Sequence, residues 1–175
     1  MVSRMGLDEA PGKSSKSAGR PLGATGDTVR RNIRDIRDRK GISGPELSSR
    51  LDNLHRPIPP LGIHRIESGQ RRVDVDDLVA IALALDVSPV SLLMPHAVEA
   101  TERVRITGIK NALEAEQVWE WLTANLSLRG RDEFMQFLNE AWPAWKVGPL
   151  NEAAAAAFEE QKQQLERQRQ KRGDD

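Results

Sequence analysis

Ile58-Pro59-Pro60-Leu61-Gly62-Ile63-His64-Arg65-Ile66-Glu67-Ser68-Gly69-Gln70-Arg71-Arg72-Val73 is the stretch around which this 175-residue chain is organised. Ile63 and Ile66 stand one helical turn apart and can face a core together, which leaves Leu61, His64 and Arg65 on the outer side. Pro59 and Pro60 suit a helix start, where a missing N–H costs little and the proline φ is already helical. Gly69 suits a helix end in the left-handed conformation. The stretch therefore predicts a two-turn helix with an outward face rich in donors and two arginines just past its end. A DNA major groove is one setting that accounts for such a face.

Working outward, Asp27 or Thr25 can cap a first helix that runs to about Lys40, with Val29, Ile33 and Ile36 as its buried stripe. Gly41 ends it. Ser43-Gly44-Pro45-Glu46 has capping-box spacing and opens a second helix that turns Leu47, Leu51 and Leu54 inward. Residues 52–57 form the connection to the quoted stretch. Beyond Arg72, a fourth helix starts at Asp74 or Val75, with Leu78, Ile81, Ala82 and Leu85 as its apolar face and Asp76 and Asp77 in the dipole-favoured first turn. Asp86-Val87-Ser88-Pro89 is a turn and cap, and Val90–Met94 is a short fifth helix stopped by Pro95. Five short helices can enclose one small core, and capping, breaking and periodicity signals agree on their limits.

Composition narrows the function classes. Cysteine is absent, so a disulfide framework, a thiolate nucleophile and a cysteine metal site are all excluded. No apolar run approaches the roughly 18–20 residues of a membrane span, and residues 1–25 hold no secretory hydrophobic segment. Net charge is zero, but it is unevenly distributed. Residues 26–72 carry 11 Lys/Arg against 6 Asp/Glu, a balance of +5, whereas residues 73–95 carry four acids and no base. The positive segment is the one that contains the candidate reading helix, and local field decides where a polyanion docks.

The blocks Ile36-Arg37 with Gly41, Ser43-x-x-Glu46-Leu47-Ser48, Ile63-His64-Arg65-Ile66-Glu67-Ser68-Gly69 and Leu78–Ser88 follow one another in an order that resembles the Xre-type, lambda-repressor-like helix-turn-helix regulators. The run from Pro57 to Val73 with the acidic segment after it is similar, more narrowly, to actinobacterial members. The resemblance implies that the second and third helices form a DNA-binding unit with the third in the major groove. It also implies that Arg37 and Glu67 form an inward ion pair. Two departures stand out: a longer connection between these helices, and an apolar start, Pro60-Leu61-Gly62, where relatives carry polar residues.

Within that frame Pro60, Leu61, His64 and Arg65 are the candidates for base contact. Arg65 can donate twice to guanine, and Leu61 can touch a thymine methyl or pack inward. Arg30, Arg34, Ser43, Gln70, Arg71 and Arg72 are candidates for phosphate contact, which positions a protein without reading sequence. Each of these side chains also has an ordinary solvated reading.

The expected organisation is all-α. A disordered arm occupies 1–25, a five-helix lambda-repressor-like domain 26–95, a linker 96–110, a helical Trp-rich region 111–147, and a charged helical or frayed tail 148–175. The run Arg103–Thr107 reads as a short strand or as linker. Helices over Leu113–Leu126 and Asp132–Trp142 carry all four tryptophans once Trp145 is included. Trp119, Leu122, Phe134, Phe137, Leu138, Trp142 and Trp145 form a satellite core or a dimer interface, with a ligand pocket as a third reading. After Gly148-Pro149 the seam of Ala154, Phe158, Gln161, Leu165 and Gln168 is too poor for a stable coiled coil.

Catalysis finds no support. His55, His64 and His96 are isolated, no His-Glu-x-x-His or Gly-x-Ser-x-Gly pattern occurs, and Gly12-Lys13-Ser14 lacks both the glycine spacing and the preceding strand of a phosphate-binding loop. The sequence thus predicts a cytoplasmic, nucleoid-associated, non-enzymatic regulator without metal or cofactor, binding double-stranded DNA as a homodimer and acting by repression. The rival reading is a protein-interaction adaptor or antitoxin-like partner that works through the helical C-terminal half.

Overall fold

The computed structural model describes residues 21–130 and 134–173, with side chains through residue 164. The expected arm lies largely outside the described residues, as does the first part of the helix expected from Asp132. Among the described residues the chain is all-α apart from one two-stranded antiparallel sheet. In order it forms α1 (Ala24–Arg39), α2 (Gly44–Asn53), α3 (Pro60–Glu67), α4 (Val75–Ala84), α5 (Pro89–Leu93), β1 (Arg103–Val104), β2 (Leu113–Glu114), α6 (Ala115–Leu122), α7 (Phe134–Ala141) and α8 (Ala144–Gly173).

Helices α1 to α5 enclose one core. Ile33 and Ile36 from α1, Leu47 and Leu51 from α2, Ile63 and Ile66 from α3, and Ile81 and Leu85 from α4 meet Leu92 of α5. Leu54, expected inward, is exposed because it is the C-cap of α2, where the chain already turns away from the core. The Ser43 hydroxyl accepts from the Glu46 amide as its spacing predicts. The Glu46 carboxylate does not reach back, however, but accepts from Arg50 one turn on, at 2.6 Å.

Five helices end alike. After α1, α2, α3, α4 and α6 the chain enters the left-handed region at Gly41, His55, Gly69, Asp86 and Ala124. In each case two backbone amides turn back onto carbonyls of the last helical turn, as in Ile42 N–H to Arg37 C=O and Gln70 N–H to Arg65 C=O.

Residues 96–110, expected as a linker, carry structure of their own. Val104 and Ile106 are buried with Ala115 and Val118 in a second small core that also packs Met94 and Ala97. Alternation in Arg103–Thr107 sends these two apolar side chains to one face, so the segment is half of a packed layer. This layer also supplies the missing cap of α1. Neither Thr25 nor Asp27 caps that helix, and its N-cap is Gly23, without a side chain. The Thr25 amide donates instead to the Thr107 hydroxyl (3.1 Å) and the Thr107 amide to the Thr25 hydroxyl (2.9 Å). A Cβ on Gly23 would sit 2.7 Å from the Thr107 Oγ1, so glycine is what permits the approach.

Helix α8 runs through Pro149 without a break, although Gly148-Pro149 reads as a boundary. Pro149 falls in the second turn, where it removes one intrahelical bond. Val147 is buried, and the Asn151 side chain bonds Asn139 of α7.

The ion pair between Arg37 and Glu67 carries the first prediction. Their side chains are only 15 % and 11 % exposed, and Nε and Nη2 of Arg37 meet the two carboxylate oxygens at 2.7 and 3.1 Å. Removing one partner leaves a charge with little access to water. Glu67→Ala is expected to lower unfolding free energy by about 3 kcal/mol, read by urea denaturation. A loss below roughly 1 kcal/mol, the surface-pair range, would count against the assignment.

Candidate nucleic-acid interface

Helix α3 buries Ile63 and Ile66 and presents Leu61, His64 and Arg65 to solvent, with Leu61 59 % exposed. Pro59 is the N-cap and Pro60 the first helical residue, so the helix opens on residues that have no amide to satisfy. No hydrogen bond or ion pair among the described residues engages the side chain of Arg65, whose carbonyl alone accepts from Ser68 and the following turn. The four base-contact candidates thus lie on or beside one accessible face.

What holds that face in place is a set of ties to the neighbours of α3. The Ser48 hydroxyl of α2 donates to the Ile58 carbonyl at 2.8 Å, fixing the connection that leads into the helix. At the far end Arg37 grips the Glu67 carboxylate while donating to the Ile42 carbonyl. Arg30 donates to the Glu67 carbonyl at 3.2 Å and to Asp27 at 2.7 Å, so it ties α1 to the C-terminus of α3.

Asp77 makes the most deeply buried of these connections. Its side chain is 2 % exposed and takes Nε of Arg56 on one oxygen (2.8 Å) and Nη2 of Arg71 on the other (2.7 Å). Arg56 precedes α3 and Arg71 follows it, so a single buried carboxylate of α4 brackets the helix from both sides. Arg56 also reaches both oxygens of Asp74, which in turn caps α4 by accepting from the Asp77 amide at 2.7 Å. Arg71 lies against Gly62, where an added Cβ would stand 3.1 Å from Nη1 and 2.9 Å from Cγ2 of the buried Ile58. Glycine at this position leaves room for both.

These contacts sort the phosphate candidates. Arg30 and Arg71 have guanidinium groups committed to carboxylates and carbonyls within the fold. Ser43 is the cap of α2, with its hydroxyl turned to Glu46. Arg34 is exposed and only loosely paired with Asp38, at 3.7 Å. Gln70 is exposed, and Arg72 donates to the Pro21 carbonyl. Sequence reading missed Arg56, Gly62 and Asp77. The sequence marks Asp77 only as a helix-dipole partner, because no local pattern reveals that a first-turn aspartate is buried between two distant arginines.

Residues 33–92 match the family model described as helix-turn-helix. This part of the chain is a helix-turn-helix domain. The match begins inside α1 and ends inside α5, so it takes in the whole of α2, α3 and α4. No curated protein and no solved structure matches the chain. The helix-turn-helix family is one of DNA-binding regulation rather than of enzymes. No helix among the described residues is long and apolar enough to cross a membrane, and no group of three or more potential metal ligands lies together there.

Of the residues expected at a dimer interface, Leu138 is buried, and Leu122 packs on the second core. Trp142 donates its indole N–H to the Ala124 carbonyl and stacks under the Lys146 ammonium. Phe134 and Phe137 are half-buried. Trp119 and Trp145 are exposed, Trp145 at 78 %.

Asp74 gives the domain a defined acid dependence. The hydrogen bond from the Asp77 amide, and then the nearby Arg56 charge, hold its carboxyl below the usual range. A carboxyl depressed by folding contributes stability above its unfolded value, near 3.9, and loses that contribution as pH falls through the lower folded value. Asp74→Asn keeps a cap-competent oxygen but not the charge. It is expected to be less stable than the parent at neutral pH and to converge with it at the acid end, as followed by thermal melts across pH. Parallel curves would remove this role from Asp74.

Proposed function

We propose that the chain is a sequence-specific DNA-binding transcriptional regulator that represses by occupying an operator, with the helix near 60–68 in the major groove. The observation that carries this reading is the outward face of α3, with Leu61, His64 and Arg65 exposed on a helix tied at both ends within the helix-turn-helix domain. Arg65 is the base reader, a guanidinium on a held helix that suits the paired acceptors of guanine. Leu61 supplies an apolar contact for a thymine methyl, and His64 a further donor. Gln70, Arg72 and Arg34 serve the backbone, whereas Arg30 and Arg71 serve it indirectly by positioning α3. The protein acts in the cytoplasm as a homodimer on a two-fold site with half-sites about 34 Å apart.

The second reading, an adaptor that binds another protein through its C-terminal half, draws on the exposed rings of Trp119 and Trp145. It calls for a stable heteromeric partner in the absence of DNA.

Selection from a randomised duplex pool at two salt concentrations tests the regulator reading. An enriched inverted repeat that persists at the higher salt is expected, whereas uniform binding that disappears with salt would leave only backbone electrostatics. On the recovered site, Arg65→Ala should lose about 1–3 kcal/mol of discrimination at one base pair. Arg72→Ala should weaken all sequences alike and reduce the salt slope by about one. Uniform weakening by Arg65→Ala would remove its role as a reader.

A further inference from the structure

Helix α8 spans 30 residues, which at about 1.5 Å per residue is roughly 45 Å. Among its described side chains, those that anchor it lie in the first two turns: Val147, Lys146 against Trp142, and Asn151. Every residue from 151 to 164 is exposed, including Phe158 at 66 %, and no ion pair joins their side chains. A helix that is polar all round and unpacked is stabilised by many internal ion pairs, bridges between domains through solvent, or is not stable by itself. This one lacks the first among its described side chains.

Its charges are segregated along its length. Residues 151–160 hold Glu152, Glu159 and Glu160 and no base, whereas residues 161–172 hold Lys162, Arg167, Arg169, Lys171 and Arg172 against the single acid Glu166. A second α8 laid antiparallel sets each acidic half beside a basic half, and a parallel one sets like against like. The alanines 153–157 keep the acidic half slim, which leaves room beside it for the basic half of the second copy. A surface complementary to itself under a two-fold rotation is the geometry of an isologous dimer contact.

We propose that α8 is the dimerisation element of this protein and that its occupant is the α8 of a second copy, antiparallel and held chiefly by charge. The proposal gives the homodimer of the preceding subsection its contact surface and rests on that reading for its symmetry. It extends the sequence reading of this segment, since the apolar seam stays poor and charge segregation supplies the pairing instead.

Sedimentation equilibrium of the full chain without DNA tests it. The parent is expected to be a dimer whose dissociation constant rises at least tenfold between about 0.1 and 1 M salt, as the screening length falls from roughly 10 to 3 Å. An all-basic variant (Glu152→Lys, Glu159→Lys, Glu160→Lys, Glu166→Lys) and an all-acidic variant (Lys162→Glu, Arg167→Glu, Arg169→Glu, Lys171→Glu, Arg172→Glu), each named for residues 151–172, should each be monomeric. Mixed in equal amounts, they should form a one-to-one heterodimer and regain any helicity that either loses alone by circular dichroism. A parent that stays monomeric overturns the proposal, as do variants that dimerise like the parent or a mixture that fails to associate. Binding of both variants to a half-site duplex is scored separately, so a failure of DNA recognition cannot be mistaken for a failure of dimerisation.

Discussion

The eight-residue helix α3 is too short to persist alone, since isolated helices under about 12–15 residues are marginal in water. It buries two isoleucines, holds Glu67 in the pair with Arg37 and presents Leu61, His64 and Arg65 to solvent. Its position therefore depends on ties from outside, and the buried carboxylate of Asp77 is where the ties from Arg56 and Arg71 meet. By accepting from Arg56 and Arg71 it fixes the chain before and after the helix to the first turn of α4. Burying a carboxylate is tolerable only because two guanidinium groups satisfy it, one on each oxygen. The Arg37–Glu67 pair then sets the rotation of the helix end against α1. An exposed face can be presented at a constant angle only when the hidden half is held this firmly.

Much of this was legible in the sequence because it is local. The isoleucine spacing of α3, the prolines at its start, the Ser43 cap and the glycines at 41 and 69 each act within one turn of chain, and each recurs in the structure. The same stop motif after α2, α4 and α6 was not legible. Its left-handed residue there is His55, Asp86 or Ala124, and only glycine advertises that conformation. The outward placement of His64 and Arg65 followed directly from the burial of Ile63 and Ile66.

The remainder was hidden because it is long-range. The amide of Thr25 meets a hydroxyl 82 positions away, and nothing near Thr107 marks it as a helix cap. Residues 96–110 read as linker because two buried side chains, Val104 and Ile106, are a weak signal until the partner strand and α6 are in place. The tryptophans show the same limit, for composition gathered them into one region but could not separate the anchored Trp142 from the exposed Trp145.

Charge is where the linear reading misleads most. The basic block 26–72 and the acidic block 73–95 look like separate fields, yet Asp74 and Asp77 fold back onto Arg56 and Arg71. Within the basic block itself, Arg30 and Arg31 share Asp27, Arg37 holds Glu67, and Arg50 holds Glu46. Most of these cations serve as internal fasteners, and their field at a distance is largely cancelled by the acids they hold. A surface of this kind draws a polyanion weakly from afar. Under the proposed reading, discrimination then falls to short-range contacts made after docking, and Arg65, set on a firmly held helix and without an internal partner among the described residues, is the side chain that reading weights most.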